Sequence, residues 1–470
     1  MKHSGKKVLP LITAIISALA VFTLFAFSGK NTDNLNLFRK GNAIKQVNYP
    51  KSLTFSANLD NRYYYNSKDI YLNLEVKADE VMGYSERTPL NISVVIDKSG
   101  SMSSKNKLEF VKKAVEYIID ELGYNDYISI VTYDDDVRVV YASSMVEDKT
   151  RLKSEIRKII SGGFTNLSGG MNEGFSQAEK TIRRGYVNRV LLLSDGLANR
   201  GITDRIELAN IVINKSSYEG ITISTFGVGN DFNENLMADI ATYGKGNYYY
   251  IKNSIDIPEI FANELKGVRV LAAQNTKIKV NFPSHYLSVR NVFGYHYEVT
   301  GDNIYIDLKD VFAGQKKTVL IKFNVSRKID GRKEFESILT YEDARDDLRK
   351  VDERLITFIE PAYTINDYES GVNITVKQNV VRQEANDLME QALNDADNGK
   401  YDEAREKIKM GKDYMNSEMN SLPASPEMTE QYDNMDKYDK ELENVGSKTE
   451  EERKEMQKSG KYENYETRKK

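Results

Sequence analysis

The pattern of apolar and polar positions divides this chain into stretches with different periods. From Leu53 to Val76 the two kinds of residue alternate, with Leu53, Phe55 and Ala57 followed by Tyr71, Leu72, Leu74 and Val76. A period of two in β-branched and aromatic residues predicts two strands of a half-buried sheet. A loop over 77–88 ends at Pro89. Between about 90 and 267 short apolar runs alternate with helical spacing. Strands are expected at Leu90–Ile96, Tyr127–Tyr133, Val137–Tyr141 (an edge strand), Arg189–Leu193, Ile221–Phe226 and Asn247–Ile251. Helices are expected at Lys107–Leu122, Lys149–Ile160, Leu167–Arg184, Thr203–Tyr218, Glu234–Tyr243 and Ile255–Val268. In the first of these, Leu108, Val111, Ala114, Val115, Ile118 and Ile119 fall on one face. From 269 to 361 alternation returns, in Thr276–Val280, Asn303–Asp307, Thr318–Phe323 and Arg354–Ile359.

Strands that read as continuous apolar runs are buried on both faces, and regular strand–helix alternation implies a mostly parallel, doubly wound α/β sheet. The alternating segments before and after it suggest a β-sandwich in which this α/β domain is inserted, since the termini of such a domain often lie close together. A separate C-terminal sheet, with the early strand pair elsewhere, stays open as the alternative. The expected multidomain order is 48–88 (first sandwich strands), 89–267 (α/β domain), 268–362 (second sandwich part), 363–422 (helical hairpin) and 423–470 (charged helical or disordered tail). In the hairpin, Val376–Asn398 and Tyr401–Asn420 flank a turn at Asn398-Gly399. That segment resembles one tetratricopeptide repeat, but a single repeat cannot bury its own face, so packing on the sandwich is the expectation. After Pro426 the charge is dense and apolar anchors are few, so 446–470 is expected to fray.

The first 30 residues stand apart. Lys2, Lys6 and Lys7 precede the uncharged apolar run Val8–Phe27. That run has the ~20 residues a bilayer core requires, more than the ~7–15 of a signal-peptide core. A retained membrane anchor is expected, with its N-terminus inside, the polar linker 31–47 after it and the bulk of the chain extracytoplasmic. Ala26-Phe27-Ser28 leaves cleavage and secretion open, and no Cys follows to take a lipid.

Composition narrows the function. A net charge of -4 gives no electrostatic case for nucleic-acid binding. With no Cys, disulfides and thiolate metal sites are excluded. The three histidines are His3, His285 and His296, and neither of the last two falls in the α/β stretch.

The candidate chemistry lies at the ends of two predicted strands. Asp97, Ser99 and Ser101 follow Leu90–Ile96, Thr165 lies in the Gly162-Gly163-Phe164-Thr165 loop, and Asp195 follows Arg189–Leu193. In an open α/β sheet, ligands bind outside the carboxyl ends of strands at the switch point, which brings the two carboxylates together. Two carboxylates and three hydroxyls are hard oxygen donors, suited to Mg²⁺, or Mn²⁺ in its place. Asp134-Asp135-Asp136 is read as a solvated turn, and Lys98 as pointing to solvent.

The order Asp-x-Ser-x-Ser, distant Thr, later Asp-Gly resembles the metal-ion-dependent adhesion site of von Willebrand factor A domains. Gly162–Leu167, Leu191–Gly196 and Thr225–Gly229 resemble further segments of that family, over about residues 88–267. The flanking sheets resemble those of bacterial surface proteins and inter-alpha-trypsin-inhibitor-type proteins. The resemblance implies that Ser99, Ser101 and Thr165 ligate the ion directly and the aspartates mostly through water. Asn166 and Asn199 would help as donors behind them. One position would be left for a Glu or Asp carboxylate of a protein partner, and movement at the metal loops would couple to the last helix of the domain. The expected function is a membrane-tethered adhesion or protein-interaction module. Alternatives are an assembly scaffold with a structural metal and a Mg²⁺-dependent hydrolase, against which stand the absence of a Walker-type loop and of a Ser-His-Asp order around the motif.

Overall fold

A computed structural model describes residues 51–80, 87–195, 198–266 and 270–469. The expected anchor (1–30) and linker (31–47) lie outside the described residues. Among the described residues no helix is long and apolar enough to cross a membrane.

The chain opens with β1 (Leu53–Leu59), β2 (Tyr63–Tyr64) and β3 (Asp69–Ala78). The α/β domain follows as β4 (Leu90–Asp97), α1 (Lys107–Glu121), β5 (Tyr127–Tyr133), β6 (Val137–Met145), α2 (Lys149–Arg157), α3 (Leu167–Lys180), β7 (Val187–Ser194), α4 (Arg205–Tyr218), β8 (Thr222–Val228), α5 (Glu234–Tyr243), β9 (Lys245–Ile251) and α6 (Ile257–Lys266). Seven more strands complete the sandwich: β10 (Leu271–Asn281), β11 (Leu287–Val292), β12 (Tyr297–Thr300), β13 (Asn303–Phe312), β14 (Lys316–Val325), β15 (Lys333–Asp343) and β16 (Arg349–Pro361). The helices α7 (Ile365–Ser370), α8 (Ile374–Asp397), α9 (Tyr401–Met419), α10 (Pro426–Glu443) and α11 (Glu450–Lys469) end the chain.

The central sheet has the order β6-β5-β4-β7-β8-β9, parallel except for the antiparallel edge strand β6. Strands β4, β5, β7 and β8 are buried along their whole length, which is why they read as unbroken apolar runs. Helices cover both faces: Val94 and Ile96 belong to one core with Val111, Val115 and Phe261, and Val95 to another with Met171, Phe175 and Ile240. The chain runs outward from β4 in one direction and then, from β7, in the other. The switch point therefore falls between β4 and β7.

The flanking strands form one sandwich, not two separate sheets. Its sheets have the orders β1-β3-β14-β11 and β12-β13-β10-β15-β16-β2. Strand β3, before the α/β domain, pairs along its length with β14, after it, from Lys77 opposite Lys316 to Asp69 opposite Asn324. Leu72, Leu74 and Val76 share a core with Ile278, Ile304, Phe323, Phe335 and Leu339. A domain that buries its own faces is thus spliced into a sandwich that neither flank completes alone.

The last helix differs from the sequence reading. Helix α8 starts on the sandwich, where Val376 and Val380 meet Tyr71, Phe293 and Leu320. Helices α8, α9 and α10 build their own core from Val381, Met389, Ile408, Met415, Met435 and Leu442. Residues 450–469, expected to fray, form a helix that returns to the α/β domain. Its anchors are few but large. Met456 enters the helical core, and Tyr462 and Tyr465 stand edge-on against Tyr248 of β9. The Tyr248 N–H donates to the Tyr465 hydroxyl at 3.1 Å, and Lys461 pairs with Glu234 at 2.7 Å. Paired lysines and glutamates neutralise a segment that looks solvated as a string.

At the end of the central sheet away from the switch point, one buried ion pair ties three strands to α6. Arg189 donates to Glu264 at 2.7 Å and to the Thr222 hydroxyl at 3.0 Å. Glu264 also accepts from Ser224 (2.6 Å), Asn247 (2.9 Å) and Tyr249 (2.9 Å). Burial would raise the Glu264 carboxyl, but Arg189 and these donors hold it below its ordinary range. Removing one partner of such a pair strands the other charge, at about 3–5 kcal/mol. Glu264→Met and Arg189→Met should each lose about that much in denaturant unfolding, and the double variant should lose clearly less than the two together; additive losses would contradict the pairing.

Candidate metal centre

Asp97 ends β4 and is fully buried. Its Oδ1 accepts from the Ser99 N–H at 2.9 Å, and its Oδ2 accepts from the Ser194 hydroxyl at 2.7 Å and the Tyr133 hydroxyl at 3.4 Å. The strand-end turn places the Ser99 and Ser101 hydroxyls 3.1 Å apart. Ser101 donates to Asp195 Oδ1 at 2.8 Å, across the β4–β7 switch point. Thus Asp97, Ser99, Ser101 and Asp195 form one connected polar set.

The loop that carries Thr165 is pinned beside the Asp97 turn from both sides. The Gly100 N–H donates to the Gly163 carbonyl at 3.0 Å, and the Gly162 N–H to the Lys98 carbonyl at 2.8 Å. The Asn199 side chain accepts from the Thr165 N–H at 2.8 Å, while the N–H groups of Asn199 and Arg200 donate to the Thr165 carbonyl at 3.2 Å. Asn166 caps α3 by accepting from the Gly169 N–H at 3.0 Å. Both asparagine side chains accept here through Oδ1 and shape the loop. Gly163 has φ +78°, and a Cβ there would fall 2.5 Å from Asp135 Oδ2. The backbone conformation at this position favours glycine.

Two expectations change. Lys98 pairs with Asp134 instead of pointing to solvent. Asp135 is no idle acid in a solvated turn: it accepts from the Phe164 N–H at 3.2 Å and meets Arg200 at 3.1 Å. The acidic turn clamps the threonine loop, and Arg200 lies over the exposed Phe164 ring at 4.8 Å.

Sequence reasoning missed Lys107. It opens α1, is 2% exposed, and donates to Asp195 Oδ2 at 2.7 Å and Asp231 Oδ2 at 3.1 Å. Burial would lower its pKa, but Asp195 and Asp231 outweigh burial and hold it charged. The signal in the string is weak: a lysine at a helix start, where the helix dipole disfavours a cation.

The donor chemistry fits a hard divalent cation. Among the described residues no three or more His, Cys, Asp or Glu side chains gather as a metal site; this set depends on hydroxyls. Burial pushes the Asp97 carboxyl up to about 6, against the hydrogen bonds from Ser99 and Ser194, and the charge of Asp195 adds to the push. The partners of Asp97 are hydroxyls and an N–H, none of them a cation. A buried carboxylate without a counter-charge, beside a second carboxylate and three hydroxyl residues, is where Mg²⁺ or Mn²⁺ would be held.

Residues 91–263 match the sequence profile of the von Willebrand factor type A domain. The chain carries a von Willebrand factor type A domain. A curated relative, the uncharacterized protein YfbK of Escherichia coli K12, is 32% identical over 250 residues, which cover 52% of this chain and 43% of that protein. Human inter-alpha-trypsin inhibitor heavy chain H3 is 26% identical over 166 residues, covering 34% of this chain and 18% of that one. The chain thus spans less than half the length of these two relatives. A solved structure, von Willebrand factor type A from Catenulispora acidiphila, superposes with a TM-score of 0.65 over 81% of this chain and 89% of that one, at 15% identity. That likeness concerns the fold and extends well beyond the A domain.

The Asp97 environment yields a test with the ion chelated. A carboxyl raised from 3.8 to about 6 in the folded state stabilises fully below pH 3.8, and that contribution is lost as pH rises through about 6. The gap corresponds to about 3 kcal/mol. In EDTA, Asp97→Asn should therefore gain stability relative to the wild type by about 2–3 kcal/mol between pH 4 and pH 7. Parallel stability curves for the two proteins would contradict a buried, uncompensated Asp97.

Proposed function

We propose that the A domain binds one Mg²⁺, or Mn²⁺, through Asp97, Ser99, Ser101, Thr165 and Asp195, and uses it to capture a Glu or Asp carboxylate of a protein partner. The observation that carries this reading is the buried Asp97 carboxylate, which has only neutral partners and is joined to Asp195 through the two serines. Mg²⁺ keeps near-octahedral geometry and releases water reluctantly. Two carboxylates and three hydroxyls leave such an ion open to one more anionic oxygen.

The surroundings support a protein-sized ligand. Phe164, beside Thr165, is 55% exposed and carries Arg200 against its ring. A partner acid flanked by an apolar side chain would find both a ring and a guanidinium there. We read the site as binding without catalysis: His285 and His296 both belong to the sandwich, between β10 and β12. The match to the von Willebrand factor type A family supports protein interaction as well. We further propose that Lys2, Lys6, Lys7 and the apolar run Val8–Phe27 tether the chain to a membrane, with the A domain and sandwich on the outer side.

The test is capture of proteins from cell-envelope and host extracts by the full-length chain, with Mg²⁺ and with EDTA. Asp97→Ala and Asp195→Ala should lose Mg²⁺-dependent capture while staying folded, as judged by a cooperative melt. Capture at the wild-type level by both variants would overturn the proposal.

A further inference from the structure

The two carboxylates of the A-domain site are not treated alike. Asp97 meets no cation, whereas Asp195 is already engaged on both oxygens, by Ser101 at 2.8 Å and by the buried Lys107 at 2.7 Å. Lys107 has a second acceptor within reach, Asp231 at 3.1 Å, on the loop between β8 and α5. That loop is shaped around the lysine. Gly229 has φ +74°, and a Cβ there would lie 2.7 Å from Lys107 Cε. Asp231 in turn faces solvent on one side (48% exposed) and Lys454 of α11 at 3.6 Å on the other. The first turns of α11 are seated on the same rim by the pairs Lys105–Glu451 and Lys252–Glu455. A cleft of about 200 Å³ lies there, lined by Lys105, Lys107, Gly229, Lys252, Glu451 and Glu455 among others.

We propose that Lys107 is a resident cation of the metal site, a positioning residue that holds Asp195 while no divalent ion is bound and shifts its ammonium to Asp231 when one binds. The proposal rests on the metal-binding reading above. An ammonium and a divalent ion repel each other at the distance of a shared carboxylate. Without an alternative seat the lysine would oppose the ion outright; with one, it exchanges partners by moving across a carboxylate pair it already bridges. Its stem stays packed on Gly229, so the motion belongs to the end of the side chain. Lys454 weakens the alternative seat by sharing Asp231. Through it, the C-terminal helix tunes the affinity of a site on the far side of that loop.

Calorimetric titration of Mg²⁺ alone into the full-length protein and its variants tests this, with melting curves to establish folding. Lys107→Met should bind Mg²⁺ about tenfold more tightly than the wild type. Lys107→Arg keeps the charge and should bind no more tightly than the wild type. Asp231→Asn should weaken binding several-fold when Lys107 is present and much less in the Lys107→Met background. Lys454→Gln, a surface change that spares the core, should tighten binding about two- to threefold. If the wild type binds Mg²⁺, Asp195→Ala abolishes that binding, and Lys107→Met binds no more tightly, the exchange is overturned while the metal site stands. An equal effect of Asp231→Asn with and without Lys107 overturns it as well. Should Lys107→Met fail to fold, unchanged or weaker binding by Lys454→Gln has the same force. A wild type that binds no Mg²⁺ removes the metal reading and this proposal together.

Discussion

Two parallel strands, β4 and β7, end side by side, β4 on the buried Asp97 and β7 just before the buried Asp195. Like charges in a place shielded from water repel strongly. The surrounding structure answers this at each position. Ser194 and Tyr133 donate to Asp97, Ser101 donates to Asp195, and Lys107 is threaded from α1 to neutralise Asp195. After these contributions Asp97 still lacks a counter-charge. The functional reading follows from that imbalance, since a divalent ion is what the remaining oxygen donors could accept.

The site is set in a body that limits how its loops move. The A domain hangs from a sandwich whose β3 and β14 pair across it, and its last helix is held by Glu264 against β7, β8 and β9. The entry and exit of the inserted domain are therefore covalently continuous with one packed unit. Helix α11 adds a second bridge, from the helical core to β9 and to the loop that carries Asp231. Two elements thus tie the A domain to its surroundings, α6 through β7, β8 and β9 and α11 through β9 and the loop that carries Asp231.

Much of this was legible in the chain as a string. Fully buried strands leave unbroken apolar runs, so the six strands of the central sheet and their helices could be placed. The alternation before residue 90 and after 268 suggested a divided sandwich, and the β3–β14 pairing is its physical form. Which strand pairs with which was not legible, because alternation marks a face without naming a neighbour. At the site, Asp97, Ser99, Ser101 and Asp195 could be singled out because oxygen side chains just past apolar runs fall at strand ends. The roles of Lys98, Asp134 and Asp135 could not, since a charged residue in a turn looks solvated until its partner from another loop is known. Lys107 was hidden in the same way, its two acceptors lying 88 and 124 residues away. Helix α11 was misjudged because three large anchors, Met456, Tyr462 and Tyr465, hold a segment whose average composition is polar.

The central claim is that one divalent ion belongs among five particular side chains. The most direct measurement is anomalous diffraction from crystals of the full-length protein grown with Mn²⁺. The account predicts a single strong peak among Asp97, Ser99, Ser101, Thr165 and Asp195. A well-ordered site with no peak there, or a peak only at another acidic cluster, would contradict it.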